Sequence, residues 1–416
     1  MTAAGADRAL LLSMRRLALD MGMLTGLTVA FGTGKESTSF SVGLKREVRR
    51  AGGVFTGAPE PIDDDTVYDL ASLTKLFTLV GVLQLMERGR LRPGDTLGGL
   101  DARFAGLSDC TVLDCLTYQA ALQTPERIDA QPDAGSAERM VFMTRRVKAE
   151  GMKRYSDMNA LLLKYALEAA SGRAFFDYLS EYVLKPLGMG ETWHRVPAAR
   201  HHDLMDYALE HRVENGAYRV MEGPPPGLPH DPKARLLTGK GLPGHAGLFS
   251  TCGDMCKMAK GLLSGALLPP GRLFEIGVNR TGVLAAGGEY RQFLGMLCFT
   301  KSPVARLSEV PPWMGLRAFA FPGYTGNHLA VDPDNGVFDL FLGNRCHNRV
   351  SRIEPEEAAE ALGLPDSGEG RVRWPDGRQV RSSFRYVYQK DRMLHAPVRD
   401  CLLARGWAEE AALFPG

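Results

Sequence analysis

An apolar helical run begins at Ser72-Leu73-Thr74-Lys75 and carries a lysine in its first turn. The next five residues, Leu76-Phe77-Thr78-Leu79-Val80, contain no charge. A charge within an apolar helix is costly unless it has a partner or a chemical task. Residues three apart share one helix face, so the Ser72 hydroxyl and the Lys75 amine are neighbours. The pattern predicts either an activated serine nucleophile or an ordinary Ser and Lys on a helix surface.

The chemistry of this tetrad depends on the protonation state of the lysine. A serine hydroxyl is a weak nucleophile until a nearby base takes its proton. A lysine one turn away can act as that base if burial keeps its amine partly neutral. Since Ser-x-x-Lys occurs by chance in many long chains, the tetrad alone predicts no activity, and the motifs downstream of it decide.

The composition is that of a globular protein with a sizeable core, since 44% of the 416 residues are hydrophobic and 24% are charged. A net charge of +2 gives no sign of a nucleic-acid partner. No apolar run reaches the roughly 18 residues of a membrane-spanning helix. Arg15 and Arg16 follow the apolar run 9–12, which reverses the order of a secretory signal. We therefore expect neither nucleic acid nor membrane as a partner.

Seven cysteines are scattered along the chain, at positions 110, 115, 252, 256, 298, 346 and 401. Neither close pair has a zinc-site spacing with a second pair to match it. We therefore expect a reduced, cytoplasmic protein that needs no metal and no other cofactor. The oligomeric state stays open.

Strand-like runs lie near both ends of the chain, and a mainly helical block lies between them. Short antiparallel runs linked by turns favour an α+β fold over a parallel sheet. The pattern predicts one antiparallel sheet built from residues about 1–70 and 250–350, flanked by helices, with a mainly helical insert over about 71–249. The expected strands are 26–32, 36–43, 291–300, 316–321, 328–332 and 337–343, and the expected longer helices are 8–22, 72–88, 158–170, 174–184 and 254–263.

Residues 1–350 are predicted to form this domain, and residues 351–416 a C-terminal extension. The extension should contain a helix over 354–362, a hairpin around Pro375-Asp376-Gly377 and a final helix over 398–413. Residues 195–245 are rich in Gly, Pro and His, so we expect an irregular surface excursion there.

Tyr155-Ser156-Asp157 directly precedes the helix expected at 158–170. A phenol beside a lysine ammonium can relay a proton from nucleophile to leaving group. An aspartate two residues later can hydrogen-bond the lysine and hold it in place. The alternative is that Ser156 or Asp157 caps the helix, and the two roles are compatible.

Phe321-Pro322-Gly323-Tyr324-Thr325-Gly326 follows a strand-like run. A glycine at a strand edge lets a substrate carbonyl approach the backbone closely. The N–H groups of Ser72 and Tyr324 would then be the two donors of an oxyanion hole. The alternative is a Pro-Gly turn between strands.

The order and spacing of these three motifs resemble those of the serine β-lactamase-related superfamily, which includes class C β-lactamases, penicillin-binding DD-peptidases and family VIII carboxylesterases. The resemblance covers most of residues 25–350 and implies a β-lactamase/transpeptidase-like fold. Further similar segments are Lys185-Pro186-Leu187-Gly188-Met189, Gly244-His245-Ala246-Gly247-Leu248-Phe249-Ser250-Thr251, Asp332-Pro333 and Gly343-Asn344-Arg345.

The resemblance also implies a role for each motif. Ser72 would be the acylated nucleophile and Lys75 the base or its partner. Tyr155 would carry the proton to and from the leaving group. The implied substrate-binding residues are Asp157, which would also orient the lysine, Gly323, Tyr324 and Thr325.

Two departures from the superfamily pattern bear on the substrate. Relatives carry Lys-Thr-Gly or His-Thr-Gly at the third motif, whereas this chain has Phe321-Pro322-Gly323 in that register. Sliding the register to Tyr324-Thr325-Gly326 recovers only a Thr-Gly. The usual cation for a penicillin carboxylate is missing, so efficient β-lactamase activity is not expected. Thr117-Tyr118-Gln119-Ala120-Ala121-Leu122 also replaces the Thr-His-x-Ser-Gly-Leu of relatives, so packing near the lysine should differ.

The histidines are expected to be structural. His245 lies in a glycine-rich turn and is interpreted as a hydrogen-bonding residue rather than a general base. His201-His202 and His230-Asp231 have no metal-ligand partners at fixed spacing, so we expect surface residues there.

The expected function is that of a serine hydrolase that cleaves a small-molecule ester or amide through an acyl-enzyme on Ser72. Two alternatives stay open. One is a binding or regulatory protein that keeps the fold but little catalysis, and the other is a true β-lactamase. The intact Ser72, Lys75 and Tyr155 favour an enzyme.

Overall fold

The computed structural model describes residues 1–148, 155–285, 288–365 and 369–409. Its largest sheet has seven strands with antiparallel neighbours. Across this sheet the order is β4-β5-β6-β7-β1-β2-β3, where the strands are β1 (Gly26–Thr33), β2 (Ser37–Ala51), β3 (Val54–Pro61), β4 (Phe299–Thr300), β5 (Phe319–Pro322), β6 (His328–Asp332) and β7 (Val337–Gly343).

The N- and C-terminal parts of the chain meet within this sheet. β1 pairs with β7, from Leu27 opposite Gly343 to Thr33 opposite Val337. The predicted α+β architecture, one antiparallel sheet built from both parts of the chain, is confirmed. The strands predicted at 328–332 and 337–343 have those bounds in the structure.

Buried residues alternate between the two faces of the sheet, as the period of a strand requires. On β7, Phe338 and Leu340 belong to the core cluster shared with the helical block. Val337 and Phe341 belong to the cluster shared with the N- and C-terminal helices. Because both faces are covered, β7 is apolar along its length except for Asp339.

The helices that pack on the sheet or carry the site are α1 (Ala3–Arg15), α2 (Thr74–Glu87), α3 (Asp157–Ser171), α4 (Pro232–Leu237), α5 (Cys252–Leu263) and α6 (Ala396–Ala404). The other helical segments are Arg16–Asp20, Ala71–Leu73, Leu97–Leu100, Ala102–Leu107, Val112–Leu116, Ile128–Ala130, Ala134–Phe142, Phe175–Leu179, Ser180–Leu184, Lys185–Leu187, Ala198–Asp203, Thr238–Lys240, Pro270–Ile276, Ala305–Leu307, Ala358–Ala361, Tyr386–Lys390 and Asp391–His395. The short strands outside the large sheet are Val67–Asp69, Leu122–Gln123, Arg145–Arg146, Thr192–Trp193, Glu210–Glu214, Ala217–Met221, Phe249–Thr251, Val283–Leu284, Tyr290–Arg291, Val350–Glu354, Arg371–Arg373 and Gln379–Arg381.

The strand predicted at 291–300 is wrong over most of its length. Only Tyr290–Arg291 and Phe299–Thr300 are extended and paired as strands. Between them Met296 N–H donates to Ile276 O, and Leu297 adopts a φ of +53°. A left-handed residue ends a strand, so the chain turns to contact Ile276 instead of continuing the ladder.

The region 195–245 is more regular than the sequence indicated. Glu210–Glu214 pairs with Ala217–Met221 as a hairpin and with Val350–Glu354 as a parallel neighbour. The prediction of an irregular excursion is therefore wrong for this hairpin and for α4. The parallel partner lies far along the chain, so no local pattern could reveal it.

The C-terminal segment has the predicted kinds of elements but with shorter bounds. The helix predicted at 354–362 is reduced to Ala358–Ala361. The hairpin has strands Arg371–Arg373 and Gln379–Arg381. The last helix is α6, and positions 410–413 of its prediction lie outside the described residues.

The last helix of this segment, α6, packs on the sheet face opposite the helical block. Val398 and Leu402 of α6 share a buried cluster with Leu10 and Met14 of α1. The two helices therefore cover one face of the sheet together. Within the described ranges, no helix combines the length and apolarity needed to cross a bilayer.

Helices α2 and α3 pack closely at Gly81, and a larger side chain there should destabilise the protein. A Cβ at Gly81 would lie 2.6 Å from Leu167 Cδ1. We expect Gly81→Val to lower the free energy of unfolding by about 1–3 kcal/mol, because overpacking pushes the helices apart. Urea unfolding followed by circular dichroism measures the change. Gly94→Ala is the control, since a Cβ there meets no atom within 4 Å. An unchanged midpoint for Gly81→Val would contradict the packing.

Candidate active site

Ser72 lies in a strained turn immediately before α2. The turn spans Ala71–Leu73, and Ala71 adopts a φ of +47°, which residues with a Cβ rarely do. The Ala71 N–H donates to Asp69 Oδ1 at 2.9 Å. Such strain persists only where the surroundings hold it, and it is common at functional sites. The turn leaves Ser72 half-buried at the start of the helix.

Lys75 is fully buried and its amine contacts three elements of the fold. Its Nζ lies 2.9 Å from Ser72 Oγ in the turn before α2 and 2.8 Å from Asp157 Oδ1 at the start of α3. It also donates to the carbonyl of His245 at 3.2 Å. An ammonium has three N–H donors, so all three are used. The structure thus brings Ser72, Lys75 and Asp157 together.

The charges at this point favour a protonated lysine. Burial lowers the pKa of Lys75, but Asp157 and Tyr155 outweigh burial, and the net shift is upward. Burial likewise raises the pKa of Asp157, but Lys75 and Lys233 hold it well below its usual range. The expectation that burial leaves the Lys75 amine partly neutral therefore does not hold for the resting site. The partner charge is stronger than the desolvation.

Lys233 is a second cation that the sequence analysis missed. Its Nζ binds the other oxygen of Asp157, Oδ2, so this carboxylate bridges two lysines. Burial lowers the pKa of Lys233, but Asp157 and Asp231 raise it above its usual value. Asp231 caps α4 by accepting from the Ala234 N–H at 2.8 Å. Asp231-Pro232 is a helix-start signal that could have located α4, but not its approach to Asp157.

Tyr155 lies between two aromatic rings beside the lysine. The Lys75 Nζ is 5.0 Å from the centre of the Tyr155 ring. The Tyr118 ring lies 5.6 Å from it, and the Phe299 ring of β4 lies 4.9 Å from it. Tyr118, which stands where the superfamily pattern has a histidine, packs directly on Tyr155.

Both interpretations of Ser156 and Asp157 apply, to different residues. Ser156 is the cap of α3 and accepts from the Met158 N–H at 3.2 Å. Asp157 is thereby free to direct its carboxylate at the two lysines.

The third motif lies against the serine turn. A Cβ at Gly323 would lie 3.0 Å from Leu70 O, so the glycine permits a close approach. The Thr325 hydroxyl donates to Asp69 O at 3.1 Å, and Asn327 Nδ2 donates to the same oxygen at 2.7 Å. Asp69 therefore joins the turn to the strand motif, a role that the sequence analysis missed.

Two backbone donors are available at this junction. Within the described part of the chain, neither the Ser72 N–H nor the Tyr324 N–H donates to a protein acceptor. These are the two groups expected to form the oxyanion hole. The Thr325 hydroxyl, in contrast, is buried and bound to Asp69, so it does not face a substrate.

The Tyr324 side chain joins a buried polar network around Glu210. Its hydroxyl donates to Glu210 Oε1 at 2.8 Å, and its ring stacks on His230 at 5.8 Å. Arg212 Nη2 and His230 Nε2 lie 2.7 Å and 3.2 Å from Glu210 Oε2. Ser351 donates to the same carboxylate. Burial raises the pKa of Glu210, but the His230 and Arg212 contacts hold it far below its usual value.

The expectation of surface histidines is wrong for His230. Its side chain is buried, and its backbone N–H donates to Asp69 Oδ2 at 2.6 Å. A polar residue in a glycine- and proline-rich segment gives no local sign of burial, and the pairing with Asp69 is tertiary. His202 is exposed as expected, and His201 is partly buried.

His245 has contacts that fit the structural interpretation. Its ring is buried, and its Nε2 lies 3.1 Å from Asp231 Oδ1. Its carbonyl receives the Lys75 ammonium. The preceding Gly244 lies between α2 and α3 with a φ of +87°, and its carbonyl accepts from the Thr78 hydroxyl at 2.6 Å.

Two groups of ligand-type side chains lie at or beside the site: Asp157 with Asp231 and His245, and Glu210 with His230 and Cys346. Asp157 already binds two ammonium groups, and Glu210 binds a guanidinium. A metal ion would have to displace a cation in each case, so neither group fits a metal.

Comparison with known proteins gives the class. A serine and a lysine at the start of a helix beside an antiparallel sheet are the arrangement of the β-lactamase-related serine hydrolases. This chain belongs to the β-lactamase family, whose model, described as "Beta-lactamase", matches residues 31–363. It is a serine hydrolase of that superfamily.

A relative from Escherichia coli O157:H7, provisionally named a D-alanyl-D-alanine carboxypeptidase, is 26% identical over 327 residues, which cover 72% of this chain and 74% of the relative. Among solved structures, a LovD mutant of simvastatin synthase from Aspergillus terreus has a TM-score of 0.60 at 18% identity, covering 85% of this chain and 92% of its own. EstCE1, a hydrolase with promiscuous acyltransferase activity, has a TM-score of 0.61 at 17% identity, covering 82% and 94%. The two structures show that the β-lactamase/transpeptidase-like fold is shared.

Removing the Glu210 charge should destabilise the fold. We expect Glu210→Gln to lower the free energy of unfolding by about 3–5 kcal/mol at pH 7, because Arg212 and His230 lose a buried partner. A depressed carboxyl pKa stabilises the folded state above the unfolded pKa of about 4.3, and the contribution is lost as the pH falls below it. The deficit of the variant should therefore shrink in acid. Urea unfolding at several pH values measures it.

Glu222→Gln is the matched control, since that carboxylate is 64% exposed in its pair with Arg50. We expect its stability to stay within about 0.5 kcal/mol of the unmodified protein. Equal stability of Glu210→Gln and Glu222→Gln would show that the network around Glu210, which binds the Tyr324 side chain of the third motif, does not stabilise the protein.

Proposed function

We propose that this protein hydrolyses a small-molecule ester or amide through an acyl-enzyme on Ser72, with Lys75 and Tyr155 as the proton-transfer groups. The observation that carries the proposal is the 2.9 Å contact between Lys75 Nζ and Ser72 Oγ, in a site where the lysine is fully buried. A nucleophile and base within hydrogen-bond reach, with the base oriented by a third group, are the signature of covalent catalysis. Asp157 is that third group.

The contacts of Lys75 suggest how its protonation state changes. In the resting site the ammonium donates to Ser72, Asp157 and the His245 carbonyl. Asp157 and the carbonyl accept only, so they keep two N–H groups in place. The proton that can leave is the one directed at Ser72. Its loss turns a lone pair toward the hydroxyl without moving the amine, which makes Lys75 a base.

In the acylation step the neutral Lys75 takes the Ser72 proton while Ser72 Oγ forms a bond to the substrate carbonyl carbon. The carbonyl oxygen becomes an oxyanion, and the N–H groups of Ser72 and Tyr324 are the donors proposed to stabilise it. As the tetrahedral species collapses, Tyr155 passes its phenolic proton to the leaving alcohol or amine and takes the proton that Lys75 received from Ser72, so both groups return to their starting states. Water then repeats the sequence on the acyl-enzyme and releases the acid.

The side chains at the third motif favour substrates without a penicillin-type carboxylate. Phe321 and Pro322 carry no cation, and Thr325 is bound to Asp69. Arg345 is beside Tyr324, but its guanidinium donates to Ser351 O at 2.6 Å. Lys233 shares the Asp157 carboxylate with Lys75, and this carboxylate neutralises its charge. We therefore propose neutral esters or amides as substrates.

We further propose a reducing compartment, the cytoplasm, as the place of action. All seven cysteines are free thiols. Cys110 Sγ and Cys115 Sγ are 3.6 Å apart and unbonded. Such pairs persist as thiols where glutathione and thioredoxin keep them reduced.

A serine-directed fluorophosphonate should label the folded protein at Ser72, because the probe needs an activated hydroxyl. Ser72→Ala should lose the label, and its turnover of p-nitrophenyl butyrate should fall by roughly 10,000-fold. Mass spectrometry of the labelled peptide gives the site. Ser108→Ala, an exposed serine elsewhere, is the control and should label normally.

An unlabelled but folded wild-type protein would favour the non-catalytic alternative. Ester turnover that survives Ser72→Ala would contradict the role of Ser72. Nitrocefin hydrolysis at a rate close to that on esters would overturn the proposed substrate class and make the protein a β-lactamase.

The rising limb of the pH profile of kcat/KM should shift in opposite directions when Asp157 and when Lys233 is neutralised. If the neutral amine is the base, activity rises as the pH approaches the raised pKa of Lys75. Asp157→Asn removes the charge that raises this pKa, so the rising limb should move down by about 1–3 pH units. Lys233→Gln removes a competing cation from Asp157, so the limb should move up.

Rates on p-nitrophenyl butyrate between neutral and strongly alkaline pH measure both shifts. Lys240→Gln, a partly exposed lysine paired with Glu138, is the control and should leave the limb in place. A limb that stays fixed in both Asp157→Asn and Lys233→Gln would exclude Lys75 as the base.

A further inference from the structure

Three buried polar side chains meet on the sheet face opposite the helical block that carries Ser72. They are His328 of β6, Asp339 of β7 and His395, which directly precedes α6. Each is fully buried. One potential ligand atom of each lies within 4.8 Å of the others. The proposed reaction uses none of them.

The hydrogen-bond pattern of His328 is incomplete. Its Nε2 lies 2.8 Å from the carbonyl oxygen of Glu309, which can only accept, so Nε2 carries the proton. In the neutral ring Nδ1 then presents a lone pair, and it faces Asp339 Oδ1 at 3.8 Å. Both atoms are buried without a hydrogen-bond partner among the described residues. Two buried lone pairs that face each other with no protein donor between them can both be satisfied by one cation.

His395 shows the same deficit. Its Nδ1 lies 2.6 Å from Asp339 Oδ2, and its Nε2 lies 3.4 Å from Asp391 Oδ1. A neutral imidazole has one N–H, but here it faces two carboxylates. If Nδ1 bound a cation, Nε2–H would be left to donate to Asp391. A ligating histidine that donates its other N–H to a carboxylate or carbonyl is the usual second layer of a metal site.

The charges around the cluster are also unbalanced. Among the residues that the structure describes, the carboxylates of Glu309, Asp339 and Asp391 lie beside one ammonium, that of Lys390. Lys390 Nζ lies 3.0 Å from Glu309 Oε2 and 3.3 Å from Asp391 Oδ1, and Lys390 is buried. With neutral histidines and all three carboxylates ionised, the cluster would carry two negative charges in excess. One divalent cation would neutralise both.

We propose that His328 Nδ1, His395 Nδ1 and the Asp339 carboxylate bind a divalent transition-metal ion of the Zn²⁺ class. Two imidazole nitrogens and a carboxylate are ligands that Zn²⁺ accepts, at about 2.0–2.2 Å. His395 Nδ1 and Asp339 Oδ2 are 2.6 Å apart and would have to separate to admit the ion, whereas His328 Nδ1, 3.8 Å from Asp339 Oδ1, would have to approach it. No metal is expected from the sequence, because the close cysteine pairs and the paired histidines lack metal-ligand spacing; the three residues of this cluster meet only in the folded chain.

The position of this site assigns it a structural role. It joins two central strands of the sheet to the segment that leads into α6. The Trp313 Nε1–H also donates to His395 O at 3.0 Å, so this segment is held at a defined position. A metal ion would tie the C-terminal helix to the sheet, and because the ligands are buried the ion would be enclosed during folding.

Metal content of the purified full-length protein tests the proposal. After expression with added zinc and purification without chelator, mass spectrometry should find one Zn²⁺ per chain. His395→Gln, His328→Gln and Asp339→Asn should each retain roughly tenfold less metal. His202→Gln is the control for surface binding, since that histidine is 75% exposed, and it should keep the full equivalent.

A second measurement on the unmodified protein keeps the test independent of variant folding. Refolding from urea with Co²⁺ should produce the visible absorption bands of a low-coordinate nitrogen- and oxygen-bound ion, and a higher unfolding midpoint than refolding with chelator. A wild-type protein that contains no metal and gains neither Co²⁺ bands nor stability would overturn the proposal. A full equivalent of metal in folded His395→Gln would overturn it as well.

Discussion

An ammonium that is shielded from water must find its hydrogen-bond acceptors inside the protein, and Lys75 finds them on three separate elements. Ser72 lies in the turn that leads into α2, Asp157 begins α3, and the His245 carbonyl comes from the segment that runs between α2 and α3. Satisfying this one charge therefore fixes the arrangement of the helical block. The position of the nucleophile follows from the same contacts, because Ser72 is one of the acceptors.

The second consequence concerns the balance of charge at the nucleophile. Asp157 holds one lysine with each oxygen, so the site is an alternating chain of cation, carboxylate and cation. The third motif contributes backbone groups and a link through Asp69 rather than a charged side chain. A cation reaches the site from α4 instead of from the strand edge. This redistribution is the physical basis of the proposed preference for substrates without a penicillin-type carboxylate.

Periodicity and end signals predicted the regular parts of the fold well. The apolar run of β7 and the capped helix α3 have nearly the bounds expected from local pattern. Prediction failed where a distant partner decides the conformation. The strand at Glu210–Glu214 depends on Val350–Glu354, and the break near Leu297 depends on a contact with Ile276. Neither interaction leaves a trace in the nearby residues.

The sequence by itself determined the class of fold and the members of the central cluster, because the Ser72–Lys75 and Tyr155–Asp157 motifs are local patterns that resemble those of the superfamily. The tertiary structure alone decided the charges around them. It brought Lys233 to Asp157, buried His230 beside Glu210, and set His328 opposite His395. The physical reason is that electrostatic energy depends on distance and burial, and residues far apart in sequence acquire both only when the chain has folded.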